Sequence, residues 1–156
     1  MSTLAFLTPT PSTAAVRSPL QRCDGVSVID RSLMRKWEVD GPAGPLGQAT
    51  RTDDGVWWCP VTPTRTLVLG AETIAAGGLD LTCAYAGLEL VGLDAGERLA
   101  RFCAIDVRPR VMGVGAFRPG SVARTPGFVL RTGPESLLLL VGWALGEYLM
   151  EVVLRA

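Results

Sequence analysis

The fold is decided by two stretches that align without a gap: Val56-Trp-Trp-Cys-Pro-Val-Thr-Pro-Thr-Arg-Thr-Leu-Val-Leu-Gly70 and Phe128-Val-Leu-Arg-Thr-Gly-Pro-Glu-Ser-Leu-Leu-Leu-Leu-Val-Gly142. Each reads as a strand, a Pro-containing turn, a strand and then Gly, which predicts a β-hairpin with a loop of four to five residues. A second matched pair lies upstream. Ile29-Asp30-Arg31-Ser32 leads into a strand over Met34–Val39 and then Asp40-Gly41-Pro42-Ala43-Gly44. Leu79-Asp80-Leu81-Thr82 leads into a strand over Tyr85–Val91 and then Gly92-Leu93-Asp94-Ala95-Gly96.

The second copy is the fuller one. Asp94 with Glu97 has the form of a capping box. Leu99, Phe102 and Cys103 recur at helical spacing, and Glu97–Arg101 is an i,i+4 pair. After the hairpin, Trp143–Arg155 reads as a terminal helix with an apolar face of Leu149, Met150, Val152 and Val153 and a polar stripe of Glu147, Glu151 and Arg155. In the first copy the helix is degraded: Gly41–Gly55 is rich in Gly, Pro and Asp, and predicts a loop or a single turn. Ala71–Ala76 predicts a short helix stopped at Gly77-Gly78.

The expected fold class is α+β. It has two pseudo-duplicated strand–helix–hairpin–helix units of split βαβ type, with room for a further strand, packed face to face or sharing one core. The expected organisation is a Pro/Ser/Thr-rich extended leader over 1–22 and a single domain over 23–156, with half-units at about 24–78 and 79–156. A length of 156 residues suits one core better than two.

Composition removes several functions. Fifteen basic and fifteen acidic residues leave no net charge, which argues against a general grip on nucleic acid. No apolar run approaches a membrane span and no signal h-region opens the chain, so the expected location is the cytoplasm. The absence of His rules out His-based triads and leaves general acid–base chemistry to Asp, Glu, Tyr, Cys or the single Lys36. Cys23, Cys59, Cys83 and Cys103 lack the spacing of a metal site, and read as buried reduced thiols; no metal is expected. Gly113-x-Gly115 lacks the context of a phosphate loop.

The second half resembles a known family. Leu79–Gly92 is similar to the opening strand motif of the aminomethyltransferase-like folate-binding superfamily. Leu99-Ala-Arg-Phe-Cys-Ala-Ile-Asp106-Val107-Arg108-Pro109-Arg110 resembles the helix and C-P-L-D-L-x-P-R signature of sarcosine oxidase gamma subunits, with Ala104 standing where Pro is common. Phe117-Arg118-Pro119-Gly120-Ser-Val-Ala-Arg124-Thr125 is similar to their F-x-x-G-x-x-A-[QR]-T segment. The resemblance covers about residues 24–155 and is more specific over 79–155. It implies a folate-binding-domain-like fold and a non-catalytic role in a heterotetrameric flavoenzyme that demethylates N-methyl amines. A larger alpha subunit would carry the dinucleotide site and a tetrahydrofolate-handling domain, whose folate end this chain would support. A beta subunit would carry flavin. FAD, FMN and NAD are therefore expected in the partner subunits, and tetrahydrofolate is a ligand this chain could hold. Two rivals remain: a free-standing tetrahydrofolate- or pterin-binding module, and the small interaction subunit of a different flavin-dependent demethylase.

Candidate site residues follow. Asp30 and Asp80 open the two copies; each could accept N–H donors of a pterin, or serve as a turn former through nearby backbone N–H groups. Tyr85, at the head of the second strand, Arg108 and Arg110 complete the candidate ligand contacts. Arg101, Arg118 and Arg124 are candidate partner contacts, since guanidinium forks bind carboxylates. The competing reading is that Arg is simply this chain's default cation. Asp106 reads as a turn or an ion-pair partner of Arg108 or Arg110. In Trp57-Trp58, strand alternation puts one ring in the core and one outward, and Trp57 is the candidate interface anchor unless the leader covers both.

Overall fold

The computed structural model describes residues 28–74 and 77–156. The leader over 1–22, the boundary at 23 and Cys23 lie outside the described residues, as do Ala75 and Ala76 of the expected short helix. Of that helix, 71–74 are not helical.

Among the described residues, ten strands form two antiparallel sheets. Sheet I has the order β1 (Val28–Asp30), β7 (Tyr85–Val91), β10 (Ser136–Gly142), β9 (Thr125–Gly133), β8 (Phe117–Val122). Sheet II, taken from its corresponding edge, runs β6 (Leu79–Asp80), β2 (Lys36–Asp40), β5 (Arg65–Leu69), β4 (Trp57–Thr62), β3 (Thr50–Arg51). The two sequence-matched hairpins, β4–β5 and β9–β10, hold corresponding places. The two leading strands are exchanged. β1 pairs with β7, and β6 pairs with β2.

The run Leu137–Val141 is apolar throughout because β10 is central and covered on both faces. Leu137, Leu139 and Val141 join Leu88, Leu90 and Val129 beneath α1 (Ala95–Ala100) and α2 (Gly146–Arg155), meeting Leu99, Leu149 and Val153. Leu138 and Leu140 turn the other way. With Phe117 and Leu130 they meet Trp57, Cys59, Leu67 and Leu69 of sheet II. The layers are helices, sheet I and sheet II. Each fully buried Leu contributes about 1.5–3 kcal/mol.

Several local expectations are corrected. Both hairpin connections are two residues long, because β-bulges at Pro60/Thr62 and Ser136/Leu137 let pairing continue to the turn. No capping box forms: Asp94 makes no side-chain cap bond and instead accepts from Arg98 Nε at 2.7 Å. Glu97–Arg101 is not among the ion pairs; Arg101 donates to the Ala156 carbonyl instead. Phe102 and Cys103 lie in the turn after α1. The terminal helix begins as a 3-10 turn over Trp143–Leu145, and its stripe includes a Glu151–Arg155 pair at 3.6 Å. Cys59 is buried, but Cys83 is exposed.

β8 and β9 are joined by Ala123 and Arg124, with φ of 50° and 63°. A hairpin turn with two positive-φ positions matches strand twist but favours Gly or Asn. The left-handed conformation costs an L-residue about 1–2 kcal/mol. The expected effect of Arg124→Gly is a gain of up to about 1 kcal/mol in urea unfolding, after the added chain entropy of Gly. A net loss would contradict this strain assignment.

Candidate functional site

Two Asx turns open the two halves in the same way. Ser32 N donates to Asp30 Oδ1 at 2.8 Å, and Thr82 N donates to Asp80 Oδ1 at 2.8 Å. The turn role weighed for both aspartates is the one their geometry serves. Arg35 lies 3.4 Å from Asp80. The Thr82 hydroxyl and backbone N–H hold the exposed Asp80 carboxyl below its ordinary range.

Behind these turns the chain crosses itself. Arg31 N bonds the Gly87 carbonyl at 2.9 Å, and Leu81 N bonds the Lys36 carbonyl at 2.8 Å. Ser32 Oγ accepts from Gly87 N, and Thr82 Oγ1 accepts from Lys36 N, both at 3.2 Å. Gly87 and Lys36 thus hold corresponding positions. A Cβ at Gly87 would sit 2.9 Å from the Arg31 carbonyl oxygen, so only glycine fits there. Lys36 fills the equivalent space: fully buried, it donates from Nζ to the carbonyls of Ser32 (2.7 Å), Met34 (2.9 Å), Thr82 (3.4 Å) and Arg31 (3.5 Å). Its ring of acceptors is backbone, drawn from both halves.

A second buried cation stands on β9. Arg131, 3% exposed, lies on the helix-facing side of sheet I with Val129. It donates to the carbonyls of Met112 (2.6 Å) and Pro134 (2.8 Å) and to that of Val107. It borders a hollow of about 600 Å³ between α1, the 103–109 loop and the β9–β10 turn, which Arg108 and Asp106 also line. Arg108 grips Asp106 as a fork, with Nε 2.8 Å from Oδ1. The Arg108 side chain and then its backbone N–H pull Asp106 down to about 2.

The structure scatters the sequence-derived candidates. Asp30 and Asp80 stand at the crossing, Arg108 at the hollow, and Arg110 is exposed beyond it. Tyr85 packs edge-on to Phe128 at 5.9 Å within the inter-sheet core. Arg118 donates to the carbonyls of Gly47 and Phe117, Arg101 ties to the C-terminus, and Arg124 projects from the strained turn. Trp57 is 9% exposed and belongs to the inter-sheet core, so it is not the outward ring; Trp58 is half-buried. Alternation was right, but the assignment of faces was reversed by the inward role of Trp57 and Cys59. Sequence reasoning missed Arg131 and the caged role of Lys36. Their signals were an Arg inside an otherwise apolar hairpin and a single Lys in an Arg-rich chain.

A scan against protein-family models finds no match, and no curated protein matches the sequence. Among solved structures, the chain is similar to one from the heterotetrameric sarcosine oxidase of Corynebacterium sp. U-96 in complex with pyrrole 2-carboxylate. The TM-score is 0.74 at 19% identity, over 83% of this chain and 82% of that one. The shared feature at this identity is the fold: a small α+β arrangement with two antiparallel sheets. Among the described residues no helix is long and apolar enough to cross a membrane.

Burial lowers Lys36 from 10.5 to about 8, against the opposing pull of Cys83, Asp30 and Asp80. Burial pushes the Cys59 thiol from 9.0 up to about 12. Between about 8 and 10.5 the folded chain binds fewer protons at Lys36 than the unfolded chain, so this group's contribution to stability rises with pH there. Cys59 acts oppositely from 9.0 upward, since the folded thiol keeps its proton. Lys36→Met removes only the first effect. It should cost about 1–3 kcal/mol by orphaning the carbonyls. In urea unfolding, the stability of the natural chain minus that of Lys36→Met should rise from pH 8 to 10.5. A flat difference would contradict the buried-ammonium assignment.

Proposed function

We propose that this chain is a non-catalytic, gamma-type subunit of a heterotetrameric sarcosine-oxidase-like flavoenzyme complex. The observation that carries this reading is the fold match that spans nearly equal shares of the two chains, 83% and 82%. Equal shares mean chains of closely similar length, so the counterpart is itself a small chain of a multi-subunit oxidase. The sequence resemblance to gamma subunits, more specific over 79–155, points the same way. The matching element order of the two sheets supports reading the halves as copies of one unit.

In this reading the chemistry belongs to the partners. An alpha subunit holds NAD and handles tetrahydrofolate, a beta subunit holds flavin as FAD or FMN, and this chain supports the folate-domain end of alpha in the cytoplasm. Its complex removes a methyl group oxidatively from an N-methyl amine and passes the one-carbon unit to tetrahydrofolate. The absence of His from the sequence fits this division of labour. Exposed apolar residues suit a docked subunit: Ile29, Leu33 and Leu79 lie on or beside the exchanged strands β1 and β6. The reading as a free-standing folate module gains less. The hollow beside α1 is large enough for a ligand, but its lining includes no aromatic ring for a pterin to stack on.

The test is recovery of the tagged chain from its native host, with an absorption spectrum of the eluate. The expected result is co-purification of larger chains with visible flavin bands and oxidase activity on N-methyl amines. Flavin bands with activity on other amines only would move the chain to a different demethylase. Recovery of the chain alone and colourless would overturn the subunit reading.

A further inference from the structure

The inward face of sheet I is apolar along most of its length and becomes polar at one end. On β10 the sheet-facing positions are Leu140, Leu138 and then Ser136; on β9 they are Phe128, Leu130 and then Thr132; on β7, Glu89 pairs in register with Leu138. Three neighbouring strands therefore break the apolar pattern at one place. Breaks of this kind are expected at functional sites. Here they line a hollow of about 260 Å³ where the inter-sheet core reaches the surface, walled by Trp57, Leu69 and Leu138, with Arg31 and Arg51 at its rim.

Its hydrogen-bond inventory is lopsided. Glu89, whose side chain is 12% exposed, has one donor on each oxygen: Arg31 Nε at 2.8 Å on Oε2 and the Thr132 hydroxyl at 2.8 Å on Oε1. The Thr132 hydroxyl also lies 3.0 Å from Ser136 Oγ. Among the described residues Arg31 thus spends one of its N–H groups on protein, and the terminal pair of its fork is left over. Arg51 spends none on them. Its guanidinium lies 5.5 Å from the centre of the Trp57 ring with no carboxylate partner among the described residues. The hollow carries two cations against one anion, with donors in surplus and the carboxylate already engaged.

We propose that this hollow is a binding site for a small monocarboxylate. The guanidinium forks of Arg31 and Arg51 receive the carboxylate, and the Trp57 wall receives a short or flat apolar remainder. Arginine forks suit a carboxylate's planar pair of oxygens. Glu89 fixes Arg31 rather than competing for the ligand. The volume falls below the range of about 300–1,000 Å³ that encloses drug-sized ligands, so a nucleotide or a whole folate is excluded by size. None of the residues expected from sequence to touch a ligand lines this hollow, and the proposal does not depend on the subunit reading.

The test is a titration of the full-length chain with acetate and then benzoate, at ionic strength held constant with chloride. Backbone and indole N–H correlation spectra are read by NMR, with Trp37, Trp58 and Trp143 as internal controls. The expected result is a saturable shift of the Trp57 indole and of the Gly55 and Gly70 amides. Arg51→Gln and Arg31→Gln should each weaken binding by about tenfold or more, while Arg155→Gln leaves it unchanged. Arg51 and Arg155 are exposed, so these variants should keep the native spectrum elsewhere. No saturable shift, a shift shared equally by other arginine-bearing surfaces, or undiminished binding by Arg51→Gln would each overturn the proposal.

Discussion

The crossing at Lys36 and Gly87 is the constraint on which the rest of the structure depends. There the chain hands one leading strand to each opposite sheet, so that β1 edges sheet I and β6 edges sheet II. Two segments crossing this closely bring many backbone groups together away from water, and each must find a partner. Ser32 and Thr82 satisfy backbone N–H groups with their hydroxyls, and the three N–H donors of Lys36 are shared among four carbonyls. The corresponding position must be glycine because the Arg31 backbone occupies the space a side chain would need. One half supplies the cation and the other the vacancy, a division that two identical side chains could not achieve.

The crossing also explains why Asp30, Asp80 and Lys36 gather at one place. Asp30 and Asp80 serve backbone turns. Arg131 and Lys36 spend their donors on carbonyls. These are the duties of residues that hold loops in place. The polar end of the inter-sheet cleft differs, because there the donors outnumber the acceptors that the described residues offer them.

What was legible in the sequence was local. The apolar run over Leu137–Val141 and the alternation in Trp57–Val61 gave the hairpins, because strand burial is written within a few residues. Tyr85–Val91 was read to the residue, and the terminal helix was clear from its stripe. The hairpin loops were read too long because a bulge has no sequence signature of its own. The capping box failed because Arg98, one turn on from Asp94, competes for the same carboxylate. The exchange of β1 and β6 was not legible: their two or three paired residues match partners about sixty and about forty positions away, and nothing local distinguishes them from turns. The buried cations escaped for a related reason, since their partners are carbonyls from several segments. The ligand candidates were chosen by residue type, and the structure scatters them; the hollow proposed for a carboxylate is lined by Arg31, Arg51 and Glu89 instead.

Native-state hydrogen exchange on β2 and β7 tests the central claim most directly. If the exchanged strands lock the sheets into one cooperative unit, the slowest amides among Trp37–Val39 and Leu88–Leu90 will open with the same free energy, equal to that of global unfolding. If one sheet exchanges through a lower-energy opening while the other stays protected, the halves are independent and the crossing is not what holds them together.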